Sequence, residues 1–474
     1  MGELNSVVFA VDRASAMPVF QQVYEGLRER IASGDFVSGS RLPPTRALAV
    51  ELGVSRSTIV TAYEQLVAEG YVEGRQGSGY AVCEMGEVEL ASAPQPVEPP
   101  TRVAERRGPP PFSPGVPDMR HFPYRQWARC VARVARNDPE ALITPGEAFG
   151  DLRLRQAISE HIFQWRGERA TPDQVLITAG SGDSLELCIR TLAEPADHIG
   201  LEDPGYPQIR HFVSSLGMRP LWLDVGPEGA ALPPPGSSES PSLVVLTPTQ
   251  QYPLGGAMTP GRRMEFLRWA DRADAWLIED DYDSEFRYAG RPIPALASFG
   301  ENARTIYAGS FSKIFSNNLR LGYLVVPGVL NEQFGQTLRR YGGKASIMPQ
   351  RALATFFEDG EFYRHLRRVR RVYAERRRVL IDLLRASLGP DARIDDPQAG
   401  MQFVLKLPGH CDDQALSRAA GERGLSVSAL SSYYASERPR KGLVLGFCGF
   451  TPEELEDGVA TLAPLLKGSL AARA

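Results

Sequence analysis

Residues 86–111, GEVELASAPQPVEPPTRVAERRGPPP, constrain the fold of this chain more than any other segment. Prolines and polar residues with almost no large apolar side chains cannot bury enough surface to fold, so the stretch reads as a semi-rigid linker. A 474-residue chain divided there holds separate units. The expected boundaries are 1–85, a linker at 86–111, and a long unit at 112–474.

Composition narrows the class. No apolar run approaches the roughly 20 residues of a membrane span, and no basic start with an apolar signal core is present, so a cytoplasmic location is expected. Five cysteines (Cys83, Cys130, Cys188, Cys411, Cys448) lack CxxC spacing and indicate neither a disulfide framework nor a zinc site. His410, Cys411 and Asp412 are adjacent, and three successive side chains rarely converge on one ion. A formal net charge of −4 predicts no general attraction to nucleic acid.

The front unit has the pattern of a winged helix-turn-helix. Val19, Val23, Leu27 and Ile31 recur every four residues on one helix that ends near Gly34. After LPP at Leu42–Pro44, Thr45 is placed as the cap of a short helix whose Leu48, Ala49 and Leu52 face inward. Gly53 ends that helix, and Ser55 caps another running to about Glu69. The GVS turn between them suits the DNA-binding motif, and GRQGSGY lies between two short strands as the wing. LPPTRALA, ELGVSRSTIVTAYEQLVAEGYV and QGSG together resemble the GntR family of bacterial repressors, over residues 18–82. The resemblance implies a recognition helix entering the major groove at Ser55, with Arg56 for a guanine and Ser55, Ser57 and Thr58 for phosphates or base edges. Arg46 would touch the backbone, and Gln76 and Gly77 would approach the minor groove. This unit carries seven arginines, no lysine and ten carboxylates, a net of −3. That charge predicts weak binding per domain, hence two domains on one operator and a homodimer.

In the long unit, helical stretches alternate with buried strands at Gln174–Thr178, Ser242–Leu246, Ala275–Ile278, Thr305–Tyr307 and Gly322–Val326. This is an α/β pattern with a largely parallel sheet, whose ligands gather at strand ends. Lys313, in YAGSFSKIFSNNLRLGY, is one of only five lysines in a chain that otherwise uses arginine. An amine can lose its proton and form a Schiff base; a guanidinium cannot. Gly309, Ser310 and Ser312 leave room for a bulky cofactor, and Arg320 can clamp a phosphate. TAGSGDSLEL offers Ser181 and Gly182 at a helix start. EDPGYPQIR places Tyr206 where an aromatic face can stack on a pyridine ring. TPTQQYPLGG carries Gln250, and in EDDYDSEF an aspartate can pair with a ring nitrogen while Tyr282 donates to a ring oxygen. Together these residues point to pyridoxal phosphate.

The ordered motifs resemble the fold-type I aminotransferases over roughly residues 112–470, and with the GntR-like front unit the chain resembles the MocR subfamily. That resemblance implies Lys313 as the internal aldimine lysine, Asp280 at the pyridine nitrogen and Tyr282 at the ring oxygen. Arg320, Ser181 and Gly182 would surround the phosphate, and Tyr206 would stack on the ring. Two positions depart from the pattern: Gln250 stands where a histidine is usual, and Val444 stands where an arginine often holds a substrate carboxylate. Arg210, Arg438 or Arg440 are the alternatives for that anion. The basic run between Arg364 and Arg378 is expected as an amphipathic helix with a solvated face, or as a contact to flanking DNA phosphates. Two functions remain open: a regulator that binds operator DNA and senses pyridoxal phosphate or an amino compound by aldimine exchange, or an active aminotransferase with an accessory DNA-binding domain.

Overall fold

The computed structural model describes residues 9–75, 79–84, 108–143, 146–234, 240–299, 304–395, 398–437 and 439–471. The chain separates into two compact units, Met1–Glu105 and Arg106–Ala474.

In the first unit, α1 spans Val19–Ala32 and buries Val23, Leu27 and Ile31 at four-residue spacing. α2 covers Thr45–Glu51, and α3 covers Arg56–Ala68. Thr45 does not cap α2: Pro44 holds the cap position with no side-chain bond, because its fixed φ already sets the helix entry. Ser55 does cap α3, its side chain accepting from the Thr58 amide. Between α2 and α3 the chain turns at Gly53 with φ +64°, a conformation that favours glycine. β1 (Val72–Arg75) and β2 (Gly79–Val82) pair antiparallel as the wing base. Ile59, Tyr63 and Leu66 of α3 meet Val23, Leu27 and Leu48 in one core. Fully burying each such side chain contributes about 1.5–3 kcal/mol.

The second unit holds an eight-stranded sheet and a four-stranded one. The large sheet contains β3 (Val175–Thr178), β4 (His198–Asp203), β5 (Arg219–Gly226), β6 (Gly229–Ala230), β7 (Leu243–Leu246), β8 (Trp276–Asp281), β9 (Thr305–Ser310) and β10 (Gly322–Val325). Their order is β3-β10-β9-β8-β7-β4-β5-β6. The five expected strands are present, and β4 and β5 extend the parallel run beyond them. β10 lies antiparallel to both β3 and β9, which departs from an all-parallel core. The small sheet joins β11 (Arg393–Ile394), β12 (Gln402–Lys406), β13 (Ser428–Ala429) and β14 (Gly442–Gly446) in the order β11-β12-β14-β13. Helices Glu361–Leu388 and Pro452–Ala471 pack beside it through Leu380, Leu384, Leu455 and Leu462.

The basic run lies within the helix Glu361–Leu388, but its charge is not all solvated. Arg376 and Arg377 are buried. Arg376 reaches Asp118 at 2.7 Å, and Arg368 and Arg370 donate to the carbonyls of His121 and Arg287. Arg367 and Arg371 remain exposed.

Candidate cofactor and DNA sites

Strand alternation sorts three neighbouring acids. On β8, Glu279 and Asp281 share one face, where the buried Arg166 guanidinium pairs with them at 2.8 and 3.0 Å. Asp280 therefore points to the opposite face. There it shares a small cavity with Tyr206, Glu202 and Arg210. Its Oδ1 is buried without a hydrogen-bond partner. Burial, with like charge from Asp281 and Glu202, pushes its carboxyl up to about 7. Tyr282, next along the chain, donates its hydroxyl to the Gln250 carbonyl at 3.1 Å. Tyr206, half-buried at the N-terminus of the helix Pro207–Ser215, meets Tyr252 edge-to-face at 5.8 Å.

Lys313 follows β9. Its Nζ donates to the Gly115 carbonyl at 2.8 Å. Burial lowers the lysine pKa, against the attraction of Asp283 and Asp280. Gly115 belongs to a strap that nothing in the sequence periodicity marks. The Pro111 and Phe112 carbonyls accept from the Ser426 and Gly446 amides, and the Asp118 amide donates to the Tyr373 hydroxyl. Glycine is required where the strap crosses β14, because a Cβ on Gly446 would lie 2.2 Å from the Ser113 oxygen.

The other end of the site is built by close backbone approach. Ser181 and Gly182 open the helix Ser181–Leu192 directly after β3 and Gly180. A Cβ on Gly322 would stand 2.9 Å from the Gly180 Cα, so the start of β10 and this helix N-terminus are in contact. Arg320, two residues before Gly322, is exposed with φ +47°. Amides at a helix start and an exposed guanidinium nearby can together take a phosphate.

In the first unit, Arg46, Ser55, Arg56 and Ser57 are exposed, with Thr58 half-buried. The Ser55 hydroxyl lies 2.7 Å from that of Ser57 and 2.8 Å from that of Thr58, so these three groups are tied to the helix cap. Arg56 Nε lies 3.4 Å from Thr45 Oγ1, linking the start of α3 to the start of α2. Gln76 and Gly77 lie outside the described residues.

A family model for bacterial regulatory proteins of the gntR family matches residues 20–82. The probable rhizopine catabolism regulatory protein MocR of Rhizobium meliloti is 37% identical, covering 96% of this chain and 95% of its own. The chain belongs to the MocR family of GntR-type transcriptional regulators. The pyridoxine biosynthesis regulator PdxR of Corynebacterium glutamicum is 35% identical, over 90% of this chain and 91% of its own. Among solved structures, LysN, the α-aminoadipate aminotransferase of Thermus thermophilus, is 28% identical with a TM-score of 0.69, covering 77% of this chain and 94% of its own. An archaeal alanine:glyoxylate aminotransferase matches the fold with a TM-score of 0.70 at 24% identity, over 76% of this chain and 91% of its own. The second unit of this MocR-family regulator therefore has the aminotransferase fold.

The structure separates the regulator's expected anion-holding arginines. Arg210 donates to the Tyr433 carbonyl, lies 3.7 Å from Asp203 and covers the Trp222 ring at 5.3 Å. Arg440 donates to the Val225 carbonyl at 2.8 Å and lines a separate cleft of about 690 Å³ that shares Gln250. Arg438 lies outside the described residues. Three side chains near the site escape sequence reasoning: Asp283, Gln402 and Glu202. Asp283 was visible in EDDYDSEF beside Tyr282. Gln402 and Glu202 come from other strands, and only the tertiary fold brings them in.

Proposed function

We propose that this MocR-family regulator binds pyridoxal phosphate and senses a small amino compound, or the cofactor itself, at Lys313. The observation that carries this reading is the buried, unpartnered Oδ1 of Asp280, a residue that lines a cavity with Tyr206 and feels the charge of Lys313. An orphaned buried carboxylate is costly unless a cation completes it, and a protonated pyridine nitrogen is such a group. The residues present fit the cofactor. Asp280 would hold its nitrogen, Tyr282 and Gln250 would stand at its ring oxygen, Tyr206 would cover its face, and Ser181, Gly182 and Arg320 would hold its phosphate. When bound, pyridoxal phosphate supplies an aldehyde carbon that joins reversibly to primary amines.

This chain's own groups do the rest. Lys313, with its proton affinity lowered by burial, is ready to act as the amine joined to the cofactor. An amine that took its place would leave the Lys313 amino group free to donate to the Gly115 carbonyl, with Asp283 and Asp280 attracting its charge. The amine therefore decides whether Lys313 is held or free, and a two-state element biased by that choice can alter the DNA-binding unit. Arg46, Arg56, Ser55, Ser57 and Thr58 form the surface we assign to DNA, with Gln76 and Gly77 on the wing. We read the protein as a cytoplasmic homodimer, two acidic winged domains binding one operator more tightly than one can. We assign residues 86–111 as its linker, with Pro111 at the far end already held by the Ser426 amide.

The alternative is an active aminotransferase. Incubating the cofactor-loaded protein with amino donors and 2-oxo acids separates the two. Sensing predicts no more than a single round of exchange per site, whereas many turnovers at useful rates would establish the enzyme.

A further inference from the structure

The end of the large sheet away from Lys313 holds another cavity, of about 440 Å³. Thr305, the first residue of β9, lines it, whereas Lys313 follows the last, Ser310. Five strand steps, roughly 17 Å at about 3.3 Å each, separate those two ends. Alternation puts Thr305 and Tyr307 on one face of β9. That face carries the Arg166 cluster, since the Tyr307 hydroxyl donates to Asp281, which pairs with Arg166. Tyr307 lines the cavity too, together with Gly167 and Glu168 just past the helix Leu152–Arg166.

The charge of this cavity is unbalanced. Glu168 is half-buried and makes no hydrogen bond or ion pair among the described residues. Burial, with like charge from Glu279, pushes its carboxyl up to about 7, against the pull of Arg166. Arg166 is not free to pair with it, because Glu279 and Asp281 hold the guanidinium at 2.8 and 3.0 Å. Arg169, the other charged side chain lining the cavity among the described residues, is exposed and lies over the Phe163 ring at 5.6 Å. Gly167, with φ +68°, ends the helix, and the negative end of the helix dipole adds to the carboxylate.

The hydroxyls of the cavity have acceptor capacity to offer. Thr305 is 5% exposed, and its Oγ1 is buried without a hydrogen-bond partner. Leaving it so is costly, and an N–H from a ligand would complete it. Ser298 Oγ already donates to the Ala295 carbonyl at 2.7 Å, which leaves it only lone pairs for a ligand. Its Cβ lies 3.9 Å from the point where a Cβ on Gly167 would stand, so it borders the residue before Glu168. Val325 and Val329 supply apolar wall. An anion would be repelled by Glu168, and a neutral ligand would leave the carboxylate unpaired.

We propose that this cavity binds a small organic cation, an ammonium or guanidinium-like group on an apolar body, with Glu168 pairing its charge and Thr305 accepting one of its N–H groups. Binding there needs no exchange at Lys313.

The test titrates the full chain at pH 8 with benzamidinium and with piperidinium, neither of them a primary alkylamine able to take the place of Lys313. Benzamide and tetrahydropyran serve as their neutral counterparts, and binding is followed by calorimetry and by the thermal midpoint. At least one cation should bind about tenfold or more tightly than its counterpart. Glu168→Gln, which removes the charge at nearly constant size, should reduce that preference about tenfold. Thr305→Val keeps the shape and removes the hydroxyl. It should weaken the cation about threefold or more and raise the midpoint of the ligand-free chain, since an unpaired buried hydroxyl is lost. If Glu168→Gln does not fold, Thr305→Val decides alone. Equal binding of each cation and its neutral counterpart, or a preference unchanged in the folded variants, would overturn the inference.

Discussion

At the residue scale, ionised Asp280 is a cost until something cationic meets it. Its carboxyl is pushed up to about 7 by burial and by Asp281 and Glu202, with Lys313 offsetting only part of this. A carboxyl raised in the folded state destabilises that state above its folded pKa. The penalty is complete above about pH 7 and fades as pH falls toward the ordinary value of roughly 4. Asp280→Asn is therefore expected to stabilise the cofactor-free protein at pH 8, on the order of 2–4 kcal/mol, and to do little near pH 4. It should also weaken pyridoxal phosphate binding by about tenfold or more, because a neutral amide is a poor partner for a protonated ring nitrogen. Thermal melts at the two pH values, with a cofactor titration, check both signs; a less stable cofactor-free variant at pH 8 would contradict the assignment. The candidate acid was legible in EDDYDSEF. What separates Asp280 from Glu279 and Asp281 was less so, since it depends on Arg166 from a distant helix occupying the other face of β8.

At the scale of elements, the strap ahead of the helices is held by backbone contacts that forbid side chains. Gly446→Ala would bring a Cβ to 2.2 Å from the Ser113 oxygen. Neither strand nor strap can yield without losing the Gly446 amide bond to Phe112, so a loss of about 1–3 kcal/mol is expected. Lys313 should then react faster with an amine-modifying reagent, because Gly115 no longer covers it. Melting and labelling rate together measure this, and a variant equal to wild type in both would show that the strap is not held there. Elements of this kind explain what could be read beforehand. α1 and α3 announce themselves by periodicity and by Ser55, and the strands at Val175–Thr178 and Leu243–Leu246 by continuous apolar runs. The strap has no repeat, and β5 alternates exposed and buried residues where the parallel-strand pattern leads one to look for an apolar run. The long basic helix was visible as a helix. That Arg376 would be spent on Asp118 depended on where the strap lay.

At the scale of the whole molecule, the chain combines a DNA-binding unit, with a net charge of −3 over residues 1–85, and a unit of aminotransferase fold. Such charge predicts weak electrostatic binding per domain, so in the proposed homodimer a change in the pairing of the two domains is expected to alter operator affinity more than a change within one. The direct test is the amine dependence of DNA binding by the full chain. A DNA fragment selected by the protein from a random pool serves as operator, and its affinity is measured for wild type and Lys313→Ala, each with pyridoxal phosphate, with and without the amine found to bind best. Wild type should change affinity about fivefold or more on adding the amine, within the usual range of coupling between sites. Lys313→Ala should bind the fragment yet give no response. An equal response in Lys313→Ala, or none in wild type at saturating amine, would contradict the proposal that Lys313 reports to DNA.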